Sequence, residues 1–108
     1  MKRLSIQIQP NLCSDDVASH VDALSAIGTT HSPNAVVNVE HGDDDGPYIN
    51  ITIDADNISE LWSAISDVID AHPSLAASTI ACCEGESGWN DYLLLHHFDE
   101  TETLDALN

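Results

Sequence analysis

The stretch "NISELWSAISDVIDAHP", from Asn57 to Pro73, decides how the rest of the chain can fold. Asn57 and Glu60 have the spacing of a capping box, in which two side chains satisfy backbone N–H groups at a helix start. Apolar residues then recur at three- and four-residue steps, which is typical of a helix with one buried face. These residues are Ile58, Leu61, Trp62, Ile65, Val68 and Ile69. His72-Pro73 ends the helix, because the residue before a proline is pushed away from helical geometry.

An earlier part of the chain predicts a strand followed by a second helix. Residues 3–9 alternate apolar and polar side chains, which is the pattern of a half-buried strand. The next segment, "CSDDVASHVDALSAIG", predicts a helix with Ser14 as its cap and Gly28 as its left-handed stop. Asp15 and Asp16 lie where the helix dipole favours negative charge. The apolar stripe of this helix consists of Val17, Val21, Leu24 and Ile27.

Four more segments are predicted to be strands. They read "AVVNVEH" at 35–41, "YINITID" at 48–54, "STIACCE" at 78–84 and "YLLLHHF" at 92–98. The predicted order is β-α-β-β-α-β with an additional C-terminal strand. An α+β, ferredoxin-like sandwich satisfies this order, with two helices on one face of an antiparallel sheet. Residues 1–98 form a single domain in this interpretation, and 99–108 form an acidic C-terminal tail that is either frayed or a short helical turn.

The face of the sheet opposite the helices is predicted to be polar and to carry few charges. Its expected members are Ser5, Gln7, Asn38, Glu40, Tyr48, Asn50, Thr52, Thr79 and Cys83. A possible interface or ligand site on this face would use Glu40, Tyr48, Asn50, Thr52 and Thr79. Trp89 joins these candidates because an aromatic residue in a polar, glycine-containing connection either packs on its own hairpin or meets a partner.

Charge excludes several classes of function. Lys2 and Arg3 are the only Lys or Arg residues against 19 carboxylates, which gives a formal net charge of −17. Nucleic acids and anionic membranes are bound through Lys and Arg, so we expect neither as a direct partner. A basic protein would be attracted, although the same acidity would also suit a salty environment.

The three consecutive aspartates, Asp43, Asp44 and Asp45, resemble a metal site only superficially. A calcium loop uses alternating acidic positions and ends on a bidentate glutamate, and this stretch has neither. Gly42 and Gly46 flank the aspartates between two predicted strands, so the stretch is interpreted as an acidic turn in a hairpin. We expect no metal and no cofactor here.

Two pairs of residues are of the types that bind zinc or form a catalytic cysteine–histidine pair. Cys82-Cys83 and His96-His97 lie on strands that are predicted to form one hairpin. A turn at Ser87-Gly88 would place Cys82 opposite Leu93 and Cys83 opposite Tyr92, away from the histidines. A turn at Trp89-Asn90 would bring one cysteine and one histidine together on each face, so the register stays open. Neither arrangement supplies four ligands for zinc, and we expect no catalytic residue.

The leading hypothesis is a small non-enzymatic binding or regulatory module that acts through protein–protein contact and can form a homo-oligomer. The odd set of three cysteines without framework spacing, and an N-terminus without an apolar run, predict a cytoplasmic protein. Three alternatives remain open. One is an inhibitor of a basic protein that mimics nucleic acid, and another is a small enzyme or ligand-binding domain that uses the open sheet face. The third is a salt-adapted housekeeping protein whose charge has no partner.

Overall fold

A computed structural model describes residues 2–14, 16–31, 34–43, 46–99 and 101–105 of the chain. The strands are β1 (Lys2–Ile8), β2 (Val36–Asp43), β3 (Pro47–Ala55), β4 (Thr79–Gly85) and β5 (Gly88–His96). The helices are α1 (Val17–His31), α2 (Ile58–Ala71) and the short α3 (Pro73–Ala76), and a 3₁₀ turn spans Pro10–Leu12.

The strands form one five-stranded sheet in the order β2-β3-β1-β4-β5, and every neighbouring pair is antiparallel. The first four strands and the two long helices form the βαββαβ arrangement of a ferredoxin-like fold, with β5 added beside β4. The predicted fold class is therefore confirmed. β2 and β5 are the two edges of this sheet.

A single apolar core lies between the sheet and the two long helices. From Leu4 in β1 and from Ile49 in β3 onwards, buried side chains alternate with half-exposed ones. The core includes Leu4, Ile6, Ile8, Ile51 and Ile53 from these strands and Leu24, Leu61, Ile65 and Ile69 from the helices. Burying such side chains stabilises a fold by roughly 1.5–3 kcal/mol each, so packing supplies stability that ion pairs cannot supply here.

Of the two hydrogen bonds of the predicted capping box of α2, the one accepted by the N-cap side chain is present. The side chain of Asn57 accepts a hydrogen bond from the backbone N–H of Glu60 at 3.3 Å. The helix ends at Ala71, immediately before His72-Pro73, and the short helix α3 begins with that proline.

Both predicted ends of α1 differ from the structure. Asp16 caps the N-terminus of α1, because its carboxylate accepts a hydrogen bond from the backbone N–H of Ala18 at 3.1 Å. The backbone N–H of Ser14 instead donates to the hydroxyl of Ser74 in α3 at 2.7 Å, which ties the start of α1 to α3. The predicted stop at Gly28 is wrong, since α1 continues to His31.

Gly28 is buried inside α1, where the helix approaches the sheet closely. A Cβ at this position would lie 2.8 Å from a methyl group of Val37 and 3.0 Å from a methyl group of Ile53. The glycine is therefore explained by the short distance between the helix and the β2–β3 pair.

The chain after β5 folds back onto the edge of the sheet. The backbone N–H of Asp105 donates to the carbonyl oxygen of Leu94 at 2.7 Å. The backbone N–H of Leu94 donates to the carboxylate of Asp105 at 2.8 Å. The tail thus occupies the outward-facing hydrogen-bonding groups of one residue of β5.

We expect Gly28→Val to lower the free energy of unfolding by about 1–3 kcal/mol, because the added side chain must displace Val37 or Ile53. Urea denaturation followed by circular dichroism measures this change. The control is Ala26→Val, at an exposed position of the same helix, which should cost only the roughly 0.5 kcal/mol difference in helix propensity. Equal losses for the two variants would contradict the close approach at Gly28.

Candidate functional site

Both long helices lie on one face of the sheet, and in the described part of the chain the side chains of the opposite face are half-buried or exposed. Its members follow from the pairing register, which places opposite residues of antiparallel strands on the same face. This open face carries Arg3, Ser5 and Gln7 of β1, Val36, Asn38 and Glu40 of β2, Tyr48, Asn50, Thr52 and Asp54 of β3, Ile80, Cys82 and Glu84 of β4, and Leu94 of β5.

Four of the predicted site residues lie together on this face. Glu40 of β2 is opposite Asn50 of β3, and Thr52 is opposite Asn38 one step along the same pair of strands. Tyr48 is opposite Gly42, and its ring lies where a Cβ on that glycine would be. The ring therefore occupies space that any side chain at position 42 would fill.

The prediction that Thr79 and Cys83 lie on the open face is wrong. Both are fully buried on the helix side of β4, and the hydroxyl of Thr79 donates to the carbonyl oxygen of Leu75 at 2.7 Å. Ile80 and Cys82 occupy the open face instead. The segment contains apolar residues on both faces, so its alternation did not indicate which set is buried.

Burial also affects the two thiols of β4. Desolvation raises the pKa of Cys82, and the negative charge of Asp105 acts in the same direction. Desolvation likewise raises the pKa of Cys83. A thiol with a raised pKa is a poorer nucleophile near neutral pH, because less of it is thiolate.

The cysteines and histidines of the last hairpin are not brought together. Cys82 pairs with Leu94, Cys83 pairs with Leu93, and His96 pairs with Ala81, where its ring nitrogen lies 2.9 Å from the carbonyl oxygen of Ala76. The turn encloses Glu86 and Ser87, and the pairing is irregular between Cys83 and Gly85 and again between Ala81 and Cys82. Relative to the register expected for a Ser87-Gly88 turn, the partners of the two cysteines are shifted by one residue. Within the described residues, no group of three or more His, Cys, Asp or Glu could hold a metal ion.

The acidic turn is described only in part. β2 ends at Asp43, which is exposed and opposite Pro47, the first residue of β3. The aspartates therefore connect two paired antiparallel strands, while Asp44 and Asp45 themselves lie outside the described residues. Gly46 has φ +129°, a conformation that favours glycine.

Trp89 and Tyr92 are exposed on β5. Trp89 is 44% exposed and Tyr92 is 55% exposed. The irregular pairing between Cys83 and Gly85 places both aromatics in the part of β5 that lacks a regular partner on β4. Tyr92 was not singled out from the sequence, because its segment reads as an ordinary apolar strand.

One contact between histidines was also missed. His20 of α1 is buried, and its ring centroid lies 4.9 Å from that of His72, the residue between α2 and α3. His20 falls at a four-residue step before Leu24 and Gly28, which is the signal that could have placed it on the buried stripe.

A polar cavity of about 520 Å³ opens at one end of the open face. It lies where the end of β1, the 3₁₀ turn and the start of β3 meet. Its lining consists of Gln7, Gln9, Asn11, Leu12, Gly46, Pro47 and Tyr48. Of this set, the sequence predicts Gln7 as a member of the open face and Tyr48 as a site residue, although "QIQPN" repeats carboxamide side chains at two-residue steps.

Arg3 and Asp54 form an ion pair on the open face. The guanidinium donates to both carboxylate oxygens, at 2.8 Å and 3.1 Å. These hydrogen bonds, together with the charge of Arg3, lower the pKa of Asp54. They also raise the pKa of Arg3. One of the two Lys and Arg residues of the chain is thus engaged with a carboxylate of its own sheet.

Comparison with known proteins adds nothing about function. No protein-family model matches the chain. No curated protein matches it either. Among solved structures, it is similar to the solution NMR structure of a de novo designed protein with a ferredoxin fold, with 15% sequence identity and a TM-score of 0.43. That match covers 98% of this chain and 94% of the designed chain. In the described part of the chain, no helix is long and apolar enough to cross a membrane.

We expect Cys83→Ser to destabilise the protein by about 1–3 kcal/mol, because it puts a hydroxyl into the apolar core. Cys82→Ser, a matched change on the open face, should cost much less. Urea denaturation of the two variants provides the measurement. The reverse order of losses would mean that β4 presents its other face to the helices.

Asp54→Asn should reduce stability at pH 7, because it removes the charge that pairs with Arg3. The folded pKa of Asp54 lies below its ordinary value of about 4. The ion pair therefore contributes above that ordinary value and is lost as the pH falls through the lowered folded value. The difference between variant and parent should shrink below about pH 4.

Thermal unfolding across a pH series tests this expectation, with Asp22→Asn as the control for removing one carboxylate from an acidic surface. Asp22 is exposed on α1. If the two variants had the same stability at every pH, the ion pair would make no contribution.

Proposed function

We propose that the protein is a small, cytoplasmic, non-enzymatic binding or regulatory module that acts through protein–protein contact with a basic partner. The observation that carries this proposal is the open sheet face, because a five-stranded sheet with both long helices on one side leaves its other side available.

The composition of that face supports a protein contact. Neutral polar side chains such as Asn50 and Thr52 lie on it beside apolar ones such as Ile80 and Leu94, and all four are half-buried. Protein interfaces of the non-obligate kind have this mixed composition, with few charges at their centre. The charged residues of this face are Glu40 and Glu84, towards either edge, and the mutually paired Arg3 and Asp54 on β1 and β3.

Charge defines the kind of partner. The chain carries a formal net charge of −17, and Arg3 is already paired with Asp54. A second copy of the chain would bring two strongly negative surfaces together, whereas a protein rich in Lys and Arg would be attracted. Homo-oligomerisation is therefore the less favoured form of contact at low ionic strength.

The exposed aromatics of β5 provide an anchor for such a partner. Trp89 and Tyr92 are residue types that dominate the binding energy of many interfaces. Aromatic rings also attract the ammonium or guanidinium group of Lys and Arg, most strongly in the case of tryptophan.

The decisive experiment uses the immobilised protein to capture partners from source lysate, and then measures the affinity of the purified partner by calorimetry at two ionic strengths. We expect a basic partner whose affinity falls with added salt. Trp89→Ala should weaken binding about tenfold or more if Trp89 is an anchor. The control is Val39→Ala, at an exposed apolar position on the helix side of β2, which should leave the affinity unchanged.

Two other outcomes separate the alternatives. A captured partner that binds DNA, and that the protein displaces from DNA, would indicate an inhibitor that mimics nucleic acid. If no partner is retained at either ionic strength and the protein stays monomeric at high concentration, the proposed function is wrong.

A further inference from the structure

The polar cavity at the end of the open face is built by two separate turns that meet. Backbone hydrogen bonds from Gln9 to Ser78, at 2.8 Å, and from Leu12 to Gln9, at 2.9 Å, hold the 3₁₀ turn beside β1. On the other side, Gly46 approaches the same turn, and a Cβ at Gly46 would lie 3.7 Å from the side-chain nitrogen of Asn11. The cavity therefore lies between the 3₁₀ turn and the segment that leads into β3.

Tyr48 forms one wall of the cavity. Its ring lies against Gly42 of the neighbouring strand, where a Cβ would overlap it. A ring that already packs on a neighbouring strand presents a preformed surface to a ligand, and preorganisation of this kind lowers the entropic cost of binding.

The polar groups of the cavity are available to a ligand. Among the described residues, the side chains of Gln7, Gln9 and Asn11 and the hydroxyl of Tyr48 make no hydrogen bond to another protein atom. Each carboxamide offers two donors and an acceptor, so these side chains can donate and accept at neighbouring positions.

The charge of the lining narrows the class of ligand. No Lys, Arg, Asp or Glu is among the described residues that line the cavity. An anionic ligand would be repelled by the net charge of −17 and would find no cation to pair with.

We propose that this cavity binds a neutral, hydroxyl-rich small molecule of the carbohydrate class. Vicinal hydroxyl groups both donate and accept hydrogen bonds, as the three carboxamides do. The apolar surfaces of Tyr48, Pro47 and Leu12 suit the C–H face of a sugar ring. The cavity volume of about 520 Å³ lies in the range of small-molecule sites.

This site is distinct from the anchor proposed for a protein partner. Asn11 and Gln9 lie at the far end of β1, whereas Trp89 lies on β5 beyond β4. The failure of one proposal therefore leaves the other standing, because each is tested with its own variant and its own ligand.

Saturation-transfer NMR tests the proposal, with glucose, galactose, mannose, maltose and lactose as probes and glucuronate as the charged analogue. We expect saturation transfer to at least one neutral sugar and much weaker transfer to glucuronate. The dissociation constant for the sugar that binds is then measured by titration.

Asn11→Ala should weaken that binding about tenfold, which is the effect of losing one or two hydrogen bonds. The matched control is Asn90→Ala, at an exposed position on β5, which should bind normally. Tyr48→Phe keeps the ring and removes only the hydroxyl, so it should bind more tightly than Tyr48→Ala. Circular dichroism confirms that each variant is folded.

Three outcomes would overturn the proposal. The first is the absence of saturation transfer from all five neutral sugars to the parent protein. The second is unchanged affinity in folded Asn11→Ala, which would place binding elsewhere. The third is equal binding of glucuronate and glucose, which would contradict the selection against charge.

Discussion

The central strand β1 is the constraint on which the rest of the structure depends. It is hydrogen-bonded to β3 on one side and to β4 on the other, while Leu4, Ile6 and Ile8 are completely buried beneath the helices. A one-residue slip would move all three side chains to the open face and bring Ser5 and Gln7 into the core. The alternation of β1 therefore defines both the core and the composition of the open face.

The acidic surface makes this dependence on packing stronger. With two Lys and Arg residues against 19 carboxylates, few opposite charges can pair. Self-repulsion destabilises the compact state, so burial of apolar side chains and backbone hydrogen bonding must exceed it. The same excess of negative charge makes an attraction to basic proteins the expected long-range property of the surface.

Elements with strict periodicity could be predicted from the sequence, and elements without it could not. The steps of α2 and the alternation of β1 and β3 each favour one buried face, which was enough to predict the ferredoxin-like fold. The sequence of β4 does not indicate which face is buried, because Thr79, Ala81 and Cys83 are no more apolar than Ile80 and Cys82. Its buried face is determined by pairing with β1, which is information from distant sequence.

The errors in α1 and in the last hairpin have different physical origins. Gly28 resembled a helix stop, but its role depends on the distance between α1 and β3, which local sequence does not encode. The register of β5 depends on two irregularities that insert residues opposite β4. The cavity could not be predicted from the sequence, because it is made by two turns that are far apart in the chain. Among its lining residues, only Tyr48 is also a predicted site residue.

The tail contact at Leu94 has a consequence for how the sheet meets other strands. Unsatisfied N–H and C=O groups at a sheet edge can template the addition of another chain and so start fibril growth. β2 carries Glu40 and Asp43 along its edge, whereas β5 has Asp91 as its single carboxylate and contains three consecutive leucines. Asp105 lies on this more apolar edge, so proteolytic trimming that removed it would uncover the strand of the sheet most prone to aggregate.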